Sequence, residues 1–483
     1  MERAVVAHLI NDKAYIGGEW RGADDGTTFD VSNPSTGAVI ASVPNMGAGE
    51  ARAAITAAGP AFEQWREQTG KERSVILRRW FELIMAEQED LARLLTLEQG
   101  KPLAEARGEI AYGASFIEWF AEEAKRTYGE TIPGHMRDKR LITIKQPVGI
   151  TAAITPWNFP NAMITRKAGA ALAAGCAMIV KPAEQTPLSA LALASLGDKA
   201  GLPPGVFSVI TGDAAKIGGE LTANEAIRKL TFTGSTEVGR LLMRQCADTI
   251  KKLSLELGGN APFMVLDDAD LDKAAAAAIL CKFRNAGQTC VSANRIYVQE
   301  GAYDGFVERL SRLASTLNVG DGMDDGVQIG PLIDAAAVDK VEAHLADALD
   351  KGASVTTGGK PHARGGLFFE PTVLTGATQT MKIAHEETFG PLAPVIKFKT
   401  DDEAIALAND TQFGLAAYLF TQNLSRAFKT AEAIEAGMVG INTGIISTEV
   451  APFGGVKQSG LGREGGRQGV EEYLETKYLC LEV

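Results

Sequence analysis

Apolar residues recur every three or four positions across Gly49 to Glu67 and across Lys71 to Leu97, which predicts two amphipathic helices. Ahead of them, Ala14 to Trp20 reads as a short extended stretch. From Arg140 to Pro147 the pattern alternates with the period of a strand. Pro147 has no N–H for a ladder, so this segment is expected at a sheet edge or in a protruding hairpin. From about residue 149, short β-rich runs (Gly149 to Ile154, Ala177 to Val180, Val206 to Ile210, Lys229 to Thr233) alternate with helical ones (Asn161 to Ala174, Leu188 to Ala200, Ala214 to Leu221). Such alternation predicts a parallel sheet covered by helices. A second series runs from Ala261 to about Asn442, with strands at Arg295 to Val298, Leu392 to Phe398 and Ala416 to Phe420. Two α/β domains are therefore expected to meet near Glu256, with a boundary at Gly258-Gly259. No low-complexity segment or short repeat interrupts them.

A chain of 483 residues is too long for one core, which agrees with two or three domains. Net charge is −12, which argues against nucleic acid or an anionic membrane surface as the main partner. A small anionic substrate stays open, because a pair of arginines dominates the field inside a cleft. Met1 to His8 has no basic segment followed by a long apolar one, and runs such as Ala274 to Leu280 fall short of the ~20 residues a membrane span needs. The five cysteines (Cys176, Cys246, Cys281, Cys290, Cys480) are odd in number and far apart, without C-x-x-C, and the five histidines are scattered. Neither a disulfide framework nor a metal centre is expected, and the chain reads as cytoplasmic.

Among these thiols Cys290 stands out, in Phe283-Arg284-Asn285-Ala286-Gly287-Gln288-Thr289-Cys290-Val291. A lone cysteine is ordinarily a small buried apolar residue. Upstream, however, Leu255-Glu256-Leu257-Gly258-Gly259-Asn260 places a carboxylate before a Gly-Gly turn, and the two together suggest a nucleophile and its base. Glu256 by itself reads equally as a surface acid or a helix cap.

A second signal is Thr231-Phe232-Thr233-Gly234-Ser235-Thr236-Glu237-Val238-Gly239, which follows a predicted strand and opens a predicted helix. Gly234 permits a tight turn, and Ser235 with the free N–H groups of the helix start suits a phosphate oxygen. The spacing G-x-x-x-x-G differs from the usual dinucleotide fingerprint, and a plain strand-helix turn explains it as well. Lys181 and Glu184, in Val180-Lys181-Pro182-Ala183-Glu184, stand at a strand's carboxyl end, where both reach a ribose. A carboxylate there accepts from the ribose hydroxyls and repels a 2′-phosphate, favouring NAD over NADP; a solvated loop acid is the alternative for Glu184.

Four runs together resemble the aldehyde dehydrogenase superfamily: Thr155-Pro156-Trp157-Asn158-Phe159-Pro160, Phe232 to Gly239, Leu255 to Gly259, and Glu386-Glu387-Thr388-Phe389-Gly390-Pro391. The likeness extends from about Ile16 to the C-terminus. Within the superfamily it is nearest to the succinate-semialdehyde dehydrogenases, through Trp157 to Lys167, Lys282 to Cys290, and Gly444-Ile445-Ile446-Ser447. The resemblance implies two doubly wound α/β domains: a Rossmann-like NAD(P)-binding domain (1–124 and 148–259) and a catalytic domain (260–459). It adds a small β oligomerisation element (125–147 and 460–483), and a homodimer or homotetramer. It places Lys181 and Glu184 at the adenosine ribose, Ser235 at the pyrophosphate, Glu387 at the nicotinamide ribose and Phe389 beside the ring. Thr155, Pro156, Trp157, Ala183, Gly234 and Leu257 join the cofactor site.

On the same footing Cys290 attacks the aldehyde, and Asn158 with the Cys290 N–H holds the resulting oxyanion. Asn158 alone reads as a turn former. Glu256 activates the water that cleaves the thioester, which favours a free acid over transfer to coenzyme A. Arg166, on the helix after Asn158, and Arg284, on a predicted helix before Cys290, form a forked clamp for a terminal carboxylate with Ser447. Their other reading is a surface or interdomain salt bridge. The expected reaction is NAD(P)-dependent oxidation of succinate semialdehyde to succinate; glutarate semialdehyde, or a broader range of aliphatic aldehydes, is the alternative, since one methylene discriminates by only ~1–3 kcal/mol. Several relatives carry a second cysteine two positions after the nucleophile; here it is Ser292, so a disulfide switch at that place cannot form. A catalytically dead protein of the same fold would lack Cys290, Glu256 or Asn158, and a plain thiol esterase would not need the ribose and phosphate residues.

Overall fold

The structure, a computed structural model, describes residues 6–483; Met1 to Val5, part of the N-terminal stretch read above, lies outside them. Its first sheet has eight strands in the order Gly460–Leu461, Lys252–Glu256, Ile227–Thr233, Ile150–Ile154, Ala177–Lys181, Phe207–Val209, Ala14–Ile16 and Glu19–Arg21. The middle five are parallel, and the outer strands run antiparallel. Successive residues bury opposite faces: Ala152 and Ile179 pack into one core, Ala153 and Val180 into the other. A sheet covered on both sides needs such continuous apolar runs. The chain winds outward from Ile150–Ile154 through two strands, then crosses to its other side for Ile227–Thr233. That reversal opens a crevice at the carboxyl ends of the two strands, the usual ligand position in an open α/β sheet.

The second sheet has seven strands: Ser354–Thr357, Thr372–Thr375, Leu392–Phe398, Ala293–Gln299, Ala261–Val265, Ala416–Phe420 and Met438–Ile441. All but the first run parallel. The first sheet's strand Lys252–Glu256 and the second's Ala261–Val265 are separated only by the Leu257 to Asn260 turn. A third sheet joins Glu130–Ile132, Lys139–Pro147 and Leu474–Glu482.

Three local expectations change. Lys71 to Leu97 is two helices, Gly70–Ala86 and Gln88–Gln99, broken at Glu87 (φ −98°, ψ 14°). The apolar period carries across the break because both helices bury the same stripe against the first core. Lys139–Pro147 belongs to a hairpin but not to an edge: it is the middle strand, flanked by Glu130–Ile132 and Leu474–Glu482. Pro147 is tolerated because it is the strand's last residue, opposite Leu474. Within 460–483 only Leu474–Glu482 joins this small sheet; Gly460–Leu461 pairs with Leu255 and Glu256 in the first.

Candidate active site

The turn Thr155 to Pro160 leaves the strand Ile150–Ile154 at the crevice, and the helix Ala162–Ala174 follows it. Thr233, Gly234 and Ser235 leave the neighbouring strand at the same end, and Glu256 is the last residue of the next. From the second sheet's side comes the helix Leu271–Phe283, which ends abruptly. Arg284 is not helical, contrary to expectation (φ −53°, ψ 133°), and Asn285, Ala286 and Gly287 all take positive φ. This left-handed turn presents Gln288, Thr289 and Cys290. Backbones close around it: a Cβ on Gly259 would lie 2.3 Å from the Cys290 carbonyl oxygen, and one on Gly287 would lie 2.2 Å from that of Gly390. Only glycine fits either place.

Cys290 stands between two cavities. One, of about 360 Å³, is lined by Pro156, Trp157, Asn158, Gly234, Ser235, Glu256, Leu257, Glu387 and Phe389, with Asp334 and Lys340 from a segment not singled out in the sequence. The other, of about 290 Å³, is lined by Arg166, Arg284 and Ser447, together with Glu105, Glu109, Tyr112, Phe159, Met163, Ile445 and Phe453. Glu105, Glu109 and Tyr112 were missed in the sequence. Their signal was a spacing of four and three along Leu103–Glu123, which puts polar groups on one face of a mostly buried helix.

The groups near Cys290 have strongly altered acidities. Burial pushes its thiol up to about 12, with Arg166 opposing and the Glu387 and Glu256 carboxylates adding to the rise. Burial also raises Glu256 well above the usual carboxylate range, and the Glu464 charge reinforces this while Arg166 and Lys167 oppose it. Both Glu256 oxygens lack a hydrogen-bond partner among the described residues. Asn158 donates its amide N–H to the Gln288 carbonyl at 3.1 Å. Glu387 accepts the Gly259 N–H at 3.0 Å, and burial lifts its carboxyl to about 7. The Phe389 ring meets Trp157 edge-on at 5.6 Å.

Arg166 is fully buried and combines both of its sequence readings. It lines the cavity, yet its Nη2 lies 2.8 Å from Glu464 Oε2, and its guanidinium stacks 4.0 Å from the Phe453 ring centre. Its Nε has no hydrogen-bond partner among the described residues. Lys167 is paired with the same Glu464. Arg284 is half-buried, 5.4 Å from the Phe159 ring centre.

Lys181 and Glu184 sit apart from the nicotinamide-side cavity, forming an ion pair of a buried ammonium with a partly exposed carboxylate. Ala183 lies between them in sequence and is also buried. Ser235 caps the helix Thr236–Cys246 by accepting the Val238 N–H at 3.3 Å. Its oxygen accepts there, so its O–H stays free to donate, beside the first N–H groups of the helix. Thr155 keeps a buried hydroxyl without a partner among the described residues. These features fit a dinucleotide: a helix N-terminus at a sheet switch point, a half-buried acid at Glu387, and a cavity that reaches Cys290.

A half-buried thiol with a glutamate, an amide donor and a dinucleotide crevice defines a nicotinamide-dependent oxidoreductase acting through a cysteine. The family model described as "Aldehyde dehydrogenase family" matches residues 20–479. The chain is 65% identical to an NADP(+) succinate-semialdehyde dehydrogenase of Escherichia coli over 475 residues, covering 98% of each. It is 64% identical to a glutarate-semialdehyde dehydrogenase of Pseudomonas aeruginosa, again over 475 residues and 98% of each. A crystal structure of succinate-semialdehyde dehydrogenase from Burkholderia pseudomallei superposes with a TM-score of 0.98 at 60% identity, covering 99% of both chains. The chain belongs to the aldehyde dehydrogenase family.

Proposed function

We propose that this enzyme oxidises succinate semialdehyde to succinate, with Cys290 as nucleophile. The observation that carries this reading is the single cavity lined by Cys290 together with Arg284, Ser447 and the Tyr112 ring. A short aldehyde whose far end is a carboxylate satisfies both: its carbonyl carbon meets the Cys290 sulfur and its carboxylate meets the guanidinium. Relatives named for the four-carbon and the five-carbon semialdehyde are about equally similar, so glutarate semialdehyde is the second substrate to measure.

In the proposed sequence, the Cys290 thiol gives up its proton to solvent as its sulfur adds to the aldehyde carbon. The oxyanion is held by the Asn158 amide and the Cys290 N–H, each such donor being worth about 10²–10³ in rate. Glu387 and Phe389 would anchor the nicotinamide in the larger cavity, with Pro156, Trp157, Gly234 and Leu257 lining it and Thr155 nearby, and the group when bound would supply the acceptor for the hydride leaving the aldehyde-derived carbon. Glu256 then takes a proton from the water that cleaves the Cys290 thioester, releasing the acid. Glu184 accepts from the adenosine ribose hydroxyls while Lys181 donates to a ribose oxygen, and the Glu184 carboxylate disfavours a 2′-phosphate, so NAD is the preferred cofactor. Glu184→Ser shifts the NAD/NADP ratio of kcat/KM toward NADP, and an unchanged ratio removes that role.

The test of substrate is NADH absorbance at 340 nm with four- and five-carbon semialdehydes and neutral aldehydes of equal length. Arg284→Ala is expected to abolish the preference for the carboxylated aldehydes while sparing the neutral ones. A preserved preference overturns the clamp. We further propose a homodimer or homotetramer assembled through the small sheet, and a cytoplasmic location, in keeping with the five unpaired thiols.

A further inference from the structure

Lys101 lies outside every motif described so far, in the turn after the helix Gln88–Gln99, and only 1% of its surface is exposed. An ammonium group in such a place is costly unless its donors are all used. Its Nζ donates to Glu109 Oε2 at 2.5 Å and to the Asn158 carbonyl at 2.7 Å, and it lies 3.8 Å from the Phe159 ring centre. Glu109, equally buried, uses its other oxygen to accept the N–H groups of Asn161 and Ala162 at 3.0 and 3.3 Å. Those are orphan donors at the start of the helix Ala162–Ala174, whose own N-cap side chain makes no cap bond. The Asn158 carbonyl takes a second donor, Asn285 Nδ2 at 3.1 Å, and Gln99 holds Asn285 in turn at 3.0 Å.

The turn that carries Asn158 is therefore clamped at its carbonyl and at its exit by one buried ion pair. We propose that Lys101, acting through the Asn158 carbonyl and through Glu109, is a positioning residue that aims the Asn158 amide at the oxyanion. This rests on the reading of Asn158 as an oxyanion donor. An oxyanion donor stabilises the transition state only when preorganised, since a displacement of about 1 Å already costs on the order of 100-fold. Lys101 also neutralises Glu109, which lines the same cavity as Arg284 and would otherwise repel an anionic substrate.

A double-mutant cycle tests this. The pair Lys101→Met with Glu109→Gln removes both charges together, leaving no lone buried ion. It is compared with Asn158→Ala and with all three changes combined, reading kcat/KM for the aldehyde and, separately, KM for NAD. The expected result is a loss of roughly 10- to 100-fold in kcat/KM when Asn158 is present. In the Asn158→Ala background the same pair costs less than about twofold, with the NAD KM unchanged in both. Equal losses in the two backgrounds, or none in either, overturn the proposal. If Asn158→Ala alone leaves kcat/KM unchanged, the donor reading fails and this inference with it. Lys101→Arg provides a second route should the paired variant not fold: it keeps the charge but places a larger head against the carbonyl. It is expected to give a smaller loss with the same dependence on Asn158, and a loss independent of Asn158 overturns the proposal equally.

Discussion

The Glu464 carboxylate and two cations, Arg166 and Lys167, act on buried Glu256, and their balance sets when it is charged for the base role proposed above. Its acidity is weakened by burial and by the neighbouring Glu464 charge, against the pull of Arg166 and Lys167. A group with a raised value is protonated at low pH and gains its negative charge only as pH climbs. On the proposed hydrolytic role of this carboxylate, the steady-state rate should therefore rise with pH through a midpoint well above the usual carboxylate range. Glu464→Gln removes the repelling charge and frees both cations, so the midpoint of the pH–kcat profile should move to lower pH. A midpoint that stays or rises contradicts this balance. Glu256→Gln cannot take the proton at all. Its turnover should fall by about 10²–10⁴, and incubation with aldehyde and NAD should leave an acylated Cys290 visible as added mass on the intact chain. Normal turnover, or lost turnover without the acyl mass, would remove Glu256 from the hydrolytic step.

At the scale of elements, the left-handed turn Asn285 to Gly287 joins a regular helix to the nucleophile. Gly287→Ala would put a Cβ 2.2 Å from the Gly390 carbonyl at a φ of +78°. Strain of that backbone kind costs about 1–3 kcal/mol before the clash is counted. The variant should unfold at lower denaturant and lose activity, because Cys290 rides on the same turn; wild-type stability would show that the turn relaxes freely. This turn also marks where the sequence stopped being legible. The parallel strands were read closely, with Leu392–Phe398 and Ala416–Phe420 matching to the residue, because buried strands are nearly pure apolar runs. The helix formers of Leu271–Phe283 predict that Arg284 continues the helix, while Gly287 packs against the Gly390 carbonyl at the break, a contact no local pattern records. The central position of Lys139–Pro147 is likewise set by a partner distant in sequence, Leu474–Glu482. Cys290, Glu256 and Asn158 were legible as motif residues. Lys101 and Glu109 were not, since a charged residue on a helix ordinarily signals solvent.

For the whole molecule, the question is what covers the small sheet. Leu474–Glu482 is nine residues long, pairs on one side with Lys139–Pro147, and has no strand on the other among the described residues. Its residues after Leu474 are exposed, with Tyr478 at 55% and Leu481 at 42%. A long, partly apolar edge with free backbone groups is a template for another chain unless something blunts it. A closed homo-oligomer blunts it with a second copy and does so without adding any new element. Tyr478→Glu with Leu481→Glu places charge on that surface while leaving the ladder to Lys139–Pro147 intact. Sedimentation at micromolar concentration should then show the wild type as dimer or tetramer and the double variant shifted toward single chains. NAD binding should persist in the variant, because no residue of Leu474–Glu482 lines either cavity beside Cys290. A wild type that sediments as a single chain would show that this edge is left open in solution.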